Sequence, residues 1–200
     1  RAIIEWYYSL LKMHIVIQLN HPAHYHLFKN IRKKLLSASH KVDIIIRDKD
    51  ILEQLLKEDN VNYSKITSRI TKEMDKSKLH IIYNRIKDIL QKDIRLLKKF
   101  RKSPPDLFIG TDISIAHVSK LLGKKNIILN EDDFKVNKEF CLLSYPFANY
   151  ILSPNVCDVG IFRHKKVGYN GYQKLAYLSS EYFKPDVKIL EKYIAQGVRY

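Results

Sequence analysis

The chain has 200 residues, 46% of them apolar, which is ample for one globular domain with a sizeable core and excludes a disordered or fibrous protein. Thirty-six Lys and Arg against 21 Asp and Glu give a formal charge of +15, pointing to nucleic acid, an anionic membrane or a phosphorylated substrate without choosing among them. Lysine and isoleucine are both abundant, so general composition bias can supply much of that charge. Two cysteines, Cys141 and Cys157, make no disulfide framework and have no metal-ligand spacing, as expected of a reducing cytoplasm.

Residues 1–12 read RAIIEWYYSLLK, an extension too short to span a bilayer and without a small-residue cleavage site; Met13 would make a sensible start. An almost unbroken apolar run over 14–19 predicts a strand covered on both faces, the central strand of a parallel sheet. Pro22 ends it. Helical spacing of Leu27, Ile31, Leu35 and Leu36 predicts a helix over 23–37. A second strand (42–46), a short helix (51–57) and a third strand (61–66) follow, the alternation of βαβ units with right-handed crossovers.

The segment 67–76 is polar and reads as a loop. The longest periodic segment, 77–101, then predicts an amphipathic helix whose buried face carries Leu79, Tyr83, Ile86, Leu90, Ile94 and Leu97. Its solvated face would carry Arg85, Lys87, Lys92, Arg95, Lys98 and Lys99, and Pro104-Pro105 stops it. A fourth strand (106–109) leads through Gly110 and Thr111 into a helix at 113–122. The fifth strand (126–129) runs into Glu131-Asp132-Asp133 and a helix near 134–143, the sixth is 150–152, and 166–169 is a short strand-like piece. A last helix is expected over 186–195. The predicted fold is a Rossmann-like, doubly wound α/β parallel sheet of order 3-2-1-4-5-6.

Ligands of such sheets bind where the strands end, so three turns should converge: 21–26, 110–114 and 130–133. The first offers His21, His24 and His26, with Asn20 and Tyr25 beside them. Imidazole is the side chain whose ordinary pKa makes it both acid and base near neutrality. His21 and His24 are the first candidates for a catalytic base, Asp132 and Asp133 the next. Candidate substrate-binding residues are Asn20, Tyr25, Thr111, Asp112 and Glu131. The histidines could instead simply cap the helix, and acidic residues suit a helix start through the dipole alone. His21 and His24 at i, i+3 with no adjoining carboxylate do not argue for a metal. No dinucleotide fingerprint, no phosphate-cradling Gly-Lys-Ser/Thr loop and no G-x-S-x-G turn is present, which disfavours NAD, P-loop and serine-hydrolase chemistry. Nucleic acid is disfavoured too, since no zinc-finger spacing or ribonucleoprotein signature accompanies the charge.

Three stretches, HIVIQLNHPAHYHLFKNI, NEDDFKVNKEFCLLSYPFANYILSP and above all YNGYQKLAYLSSEYFKPD, together resemble the group known as domain of unknown function 354. That group looks like a distant relative of GT-B glycosyltransferases and UDP-N-acetylglucosamine 2-epimerase. The resemblance runs from Met13 to about Asp186, with Asn170-Gly171-Tyr172 its most specific piece and a further substrate-binding candidate. It implies an N-terminal, acceptor-side Rossmann domain over 13–184, with 185–200 beginning the connection to a second domain. That domain would bind the nucleotide-sugar donor, so no cofactor is expected in this one. Where the group often shows an acidic-Thr-Glu-His run, this chain has Glu131-Asp132-Asp133-Phe134, so no histidine role carries over from that turn. The expected function is the acceptor half of a cytoplasmic sugar-transfer or epimerase-like enzyme of cell-envelope biosynthesis. Its partner would be a sugar or a lipid-linked anionic acceptor, met through peripheral membrane contact, and the 200 residues alone would be nearly inactive. The alternatives are a non-catalytic module binding an anionic polymer or membrane through 92–102, or a truncated fragment without function.

Overall fold

The structure, a computed structural model, describes residues 12–47, 50–66, 78–186, 188 and 191. The expected extension at 1–11, the loop at 67–76 and most of the helix at 186–195 lie outside the described residues. Seven parallel strands form one sheet of order β3-β2-β1-β4-β5-β6-β7. They are β1 (His14–Leu19), β2 (Lys41–Ile46), β3 (Tyr63–Lys65), β4 (Leu107–Gly110), β5 (Lys125–Leu129), β6 (Tyr150–Pro154) and β7 (Lys166–Tyr169). The order confirms the doubly wound arrangement and extends it by β7, which pairs in parallel register with β6 as an edge strand.

Helices cover both faces: α1 (Pro22–Ser37), α2 (Asp50–Glu58), α3 (Lys78–Phe100), α4 (Ile113–Leu121), α5 (Lys138–Ser144) and the single turn α6 (Leu175–Leu178). Alternation along β1 feeds two cores. Ile15, Ile17 and Leu19 join Leu27, Phe28, Leu52 and Leu56 of α1 and α2. Val16 joins Leu96, Phe100, Phe108, Ile115 and Tyr145 beneath α3 and α4. Each fully buried aliphatic side chain is worth about 1.5–3 kcal/mol, so β1 is the anchor of the domain. Tyr25 belongs to the first core, 4% exposed, and is not the crevice residue its position predicts. Helical geometry turns it sideways from His24, onto the sheet.

Two expectations fail for stated reasons. No helix begins at Phe134. Asp133 Oδ1 accepts the Asp158 N–H (2.7 Å) and the Phe134 N–H donates to the Asp158 carbonyl (2.7 Å). This clamp holds 133–137 as a turn, and α5 starts at Lys138. The ring of Phe134 fills the space over Gly160, where a Cβ would lie 2.9 Å from it at φ +63. Helix α3 is also turned about its axis relative to the expected face. Leu96 and Phe100 are buried, but so is Lys92, between Asp88 (3.0 Å) and Asp112 (3.7 Å). Tyr83, Ile86, Leu90 and Ile94 face outward. Among the described residues no helix is long and apolar enough to cross a membrane.

Candidate functional site

The carboxyl ends of β1, β4 and β5 meet at a cavity of about 290 Å³, walled by His24, Thr111, Leu129, Asn130, Glu131 and Asp132. Asn137 and Phe140 from the start of α5, and Gln173 from the segment after β7, complete it. The three predicted turns therefore converge. Within them the roles divide in ways that spacing could not show.

His21 caps α1: its Nδ1 accepts the Ala23 N–H at 3.2 Å, its ring is exposed, and it does not line the cavity. Pro22 follows at the first helical position, where a missing N–H costs nothing. His24 lies one turn on, its ring 6.2 Å from that of His21 and edge-on to it. The Asn20 N–H donates to His24 Nδ1 at 3.2 Å, and the Thr111 hydroxyl lies 3.0 Å from the same nitrogen. Because a backbone N–H can only donate, this contact assigns Nδ1 the acceptor role and favours the Nε2–H tautomer; the Thr111 hydroxyl also lies 3.4 Å from Nε2. In that tautomer Nε2 is a hydrogen-bond donor.

Behind it sits a buried polar relay. Asp112 caps α4, Oδ1 accepting the Ser114 N–H at 2.8 Å, while Oδ2 accepts the Asn20 side-chain amide at 2.8 Å. Gln18 Nε2 in turn donates to Asn20 Oδ1 at 3.3 Å. Asp112 is 8% exposed, and the buried Lys92 ammonium lies 3.7 Å from its Oδ2. Asn20 and Asp112 thus face each other across the β1–β4 junction and position His24; neither lines the cavity. The close pairing of β1 and β4 depends on Gly110, where a Cβ would meet Gln18 Cβ at 3.2 Å.

On the β5 side, Asn130 is buried and organises its own turn, donating to the Asp132 carbonyl and the Tyr145 hydroxyl while Oδ1 accepts the Asp132 N–H. Asp132 keeps an exposed carboxylate on the cavity wall, one oxygen 3.4 Å from the Asn137 amide. Asp133, committed to the Asp158 N–H, does not line it. Glu131 Oε2 accepts the Gln173 N–H at 3.3 Å, tying the segment after β7 to the wall. Tyr169, at the end of β7, is half-buried near Glu131, and burial first, then that carboxylate, pushes its phenol up to about 12. Asn170, Gly171 and Tyr172 line a separate recess of about 130 Å³ with Asn155, whose amide donates to Asn170 Oδ1 at 2.6 Å. They are neighbours of the main cavity and not part of its wall.

Asn137, Phe140 and Gln173 were not among the sequence candidates. A helix expected from Phe134 put the first two in its interior, and nothing in the sequence tied the β7 segment to the β5 turn. Asn130 could have been found by the same end-of-strand rule that selected His24.

No family model matches the chain, and no curated protein matches it significantly in sequence. The likeness to domain of unknown function 354 is carried by the quoted motifs alone. Solved structures do share the fold. A candidate UDP-N-acetylglucosamine 2-epimerase from Listeria monocytogenes superposes with a TM-score of 0.61 at 11% identity, covering 91% of this chain and 51% of its own. Anabaena HepE, solved in complex with UDP and glucose, gives 0.57 at 11% identity, over 92% and 50%. A Streptomyces glycosyltransferase gives 0.50 at 14% identity, over 80% and 56%. The chain spans about half the length of these structures, and its seven-stranded Rossmann-like sheet has the fold shared by GT-B glycosyltransferases and UDP-N-acetylglucosamine 2-epimerases.

Proposed function

We propose that this chain is the acceptor-side half of a nucleotide-sugar-dependent glycosyltransferase, or of an epimerase-like relative, acting in cell-envelope biosynthesis. One observation carries the reading: the β1, β4 and β5 turns build a single polar cavity at the carboxyl ends of the sheet, in a fold shared with proteins of sugar-nucleotide chemistry. The donor, a nucleotide sugar, would be held by a second α/β domain facing this wall.

Inverting transfer needs a base to take the acceptor hydroxyl proton and a donor to steady negative charge on a substrate oxygen. Asp132, a carboxylate with one weak amide contact on the cavity wall, suits the first role. His24, in the Nε2–H tautomer, suits the second. Glu131 would hold Gln173 and, with Thr111, shape the acceptor subsite. His21 and Asp133, engaged elsewhere, are given no chemical role. We propose a cytoplasmic setting and a lipid-linked anionic acceptor at the membrane, which suits the charge of +15.

A radiolabelled sugar-nucleotide assay on the complete gene product tests this. Asp132→Asn should lower turnover by about 10²–10⁴-fold, the usual contribution of a positioned base, and His21→Ala should leave it within a few fold. Unchanged turnover in Asp132→Asn would remove the carboxylate from the mechanism.

A further inference from the structure

Helix α3 carries a second apolar face besides the one it buries. Beside the buried Leu96 and Phe100 its inner side carries ion pairs, Lys92 with Asp88 and Asp112 and Asp93 with His117 at 2.8 Å, and nearer its start the exposed Arg85 pairs with Glu139 of α5. Its outer side carries Ile82, Ile86, Leu90 and Ile94 at four-residue spacing with Tyr83 alongside, all between 51% and 60% exposed. Scattered exposed apolar residues need no explanation, but five on four consecutive turns of one helix form a contiguous patch of the kind that marks an interaction surface.

Charge narrows the occupant. On a helical wheel the stripe is bordered by Lys87 and Lys98, with Arg95 and Lys99 further round; Asp88, which falls between those last two, is largely buried and paired with Lys92 at 3.0 Å. A second copy docked symmetrically would set this basic flank against itself, on a molecule already at +15. An anionic bilayer satisfies both parts at once, taking the isoleucines into the acyl boundary and the lysines among the headgroups, as an in-plane amphipathic helix does. Position fits as well. Arg85 at the start of the stripe pairs with Glu139, and Asn137 and Phe140 on either side of that glutamate line the cavity. The patch therefore adjoins the cavity mouth.

We propose that the Ile82–Ile86–Leu90–Ile94 face of α3 seats the protein on an anionic lipid surface, with the cavity beside the headgroup layer. Its purpose, delivery of a lipid-linked acceptor, rests on the sugar-transfer reading; its test does not.

The chain is mixed with vesicles of phosphatidylcholine alone or with about one-third phosphatidylglycerol, and binding is read by flotation. Wild type should float with the anionic vesicles, less so as salt rises, and far less with the neutral ones. Ile86→Glu/Leu90→Glu should weaken binding at least about tenfold with its circular-dichroism melt unchanged. Lys87→Glu/Lys98→Glu, which leaves the apolar stripe intact, should remove the preference for anionic lipid. Failure of wild type to float, flotation of the double-Glu variant equal to wild type, or a wild-type dimer by light scattering that Leu90→Glu dissociates would each overturn the proposal. Flotation of the wild type in the absence of any sugar-nucleotide turnover would leave the proposal standing and count only against the sugar-transfer reading, because no sugar chemistry enters the readout.

Discussion

His24 shows how one hydrogen bond redirects a mechanism. Three histidines near a strand end suggest a general base, yet the Asn20 N–H donates to His24 Nδ1, which favours the proton on Nε2. Nitrogen-15 chemical shifts should show a neutral Nε2–H imidazole at neutral pH in the wild type, and Thr111→Val should keep that tautomer because the backbone donor remains. A protonated Nδ1 would return the ring to the role of base. At the same scale, Asn20 and Asp112 were predicted to touch substrate because they stand at strand ends. Spacing places a residue at the crevice but does not say which way its side chain turns; Asp112 turns inward because a helix N-terminus and Lys92 both draw its carboxylate.

At the scale of elements, α3 and α4 are joined through charged groups as well as through the apolar cluster of Leu96, Phe100, Ile115 and Val118. His117 sits between them, Nδ1 on Asp93 (2.8 Å) and Nε2 on the Leu143 carbonyl (2.9 Å), so both ring nitrogens act as donors when it is protonated. The hydrogen bond to Asp93 raises its pKa above the ordinary 6.5; burial opposes the shift and the Leu143 carbonyl supports it. A folded-state pKa above the unfolded one means stability that is fully present below about pH 6.5 and is lost as pH rises through the raised value. Melting temperature measured across pH 5.5 to 9 (roughly that window) should therefore fall more for wild type than for His117→Gln, the two curves approaching each other at the alkaline end. Parallel curves would show that the pair contributes nothing. The clamp of Asp133 on Asp158 is a second element-scale feature absent from local sequence, since it joins residues 25 apart in the chain.

For the whole molecule, the cavity lies at the carboxyl ends of β1, β4 and β5. On the sugar-transfer reading proposed above, turnover by the 200 residues alone should be below about 1% of that of a longer product carrying the proposed second domain, which would supply most of the binding energy that orients donor against acceptor. Comparable turnover by the isolated chain would place the donor site within it. The sequence by itself determined the architecture: strand-length apolar runs alternating with helical periodicity admit little but a parallel sheet with right-handed crossovers, and the order 3-2-1-4-5-6 followed, with β7 added as an edge. It also determined that the turns after β1, β4 and β5 converge, because in such sheets that is where the strands end. Tertiary structure alone decided the rest: the tautomer of His24, the inward turn of Asn20 and Asp112, the burial of Tyr25, and which face of α3 meets water. The physical reason is common to all four. Period and propensity are properties of a segment, whereas side-chain direction and protonation depend on partners that the fold brings from distant parts of the chain, as Thr111 is brought to His24 and Asp112 to Lys92.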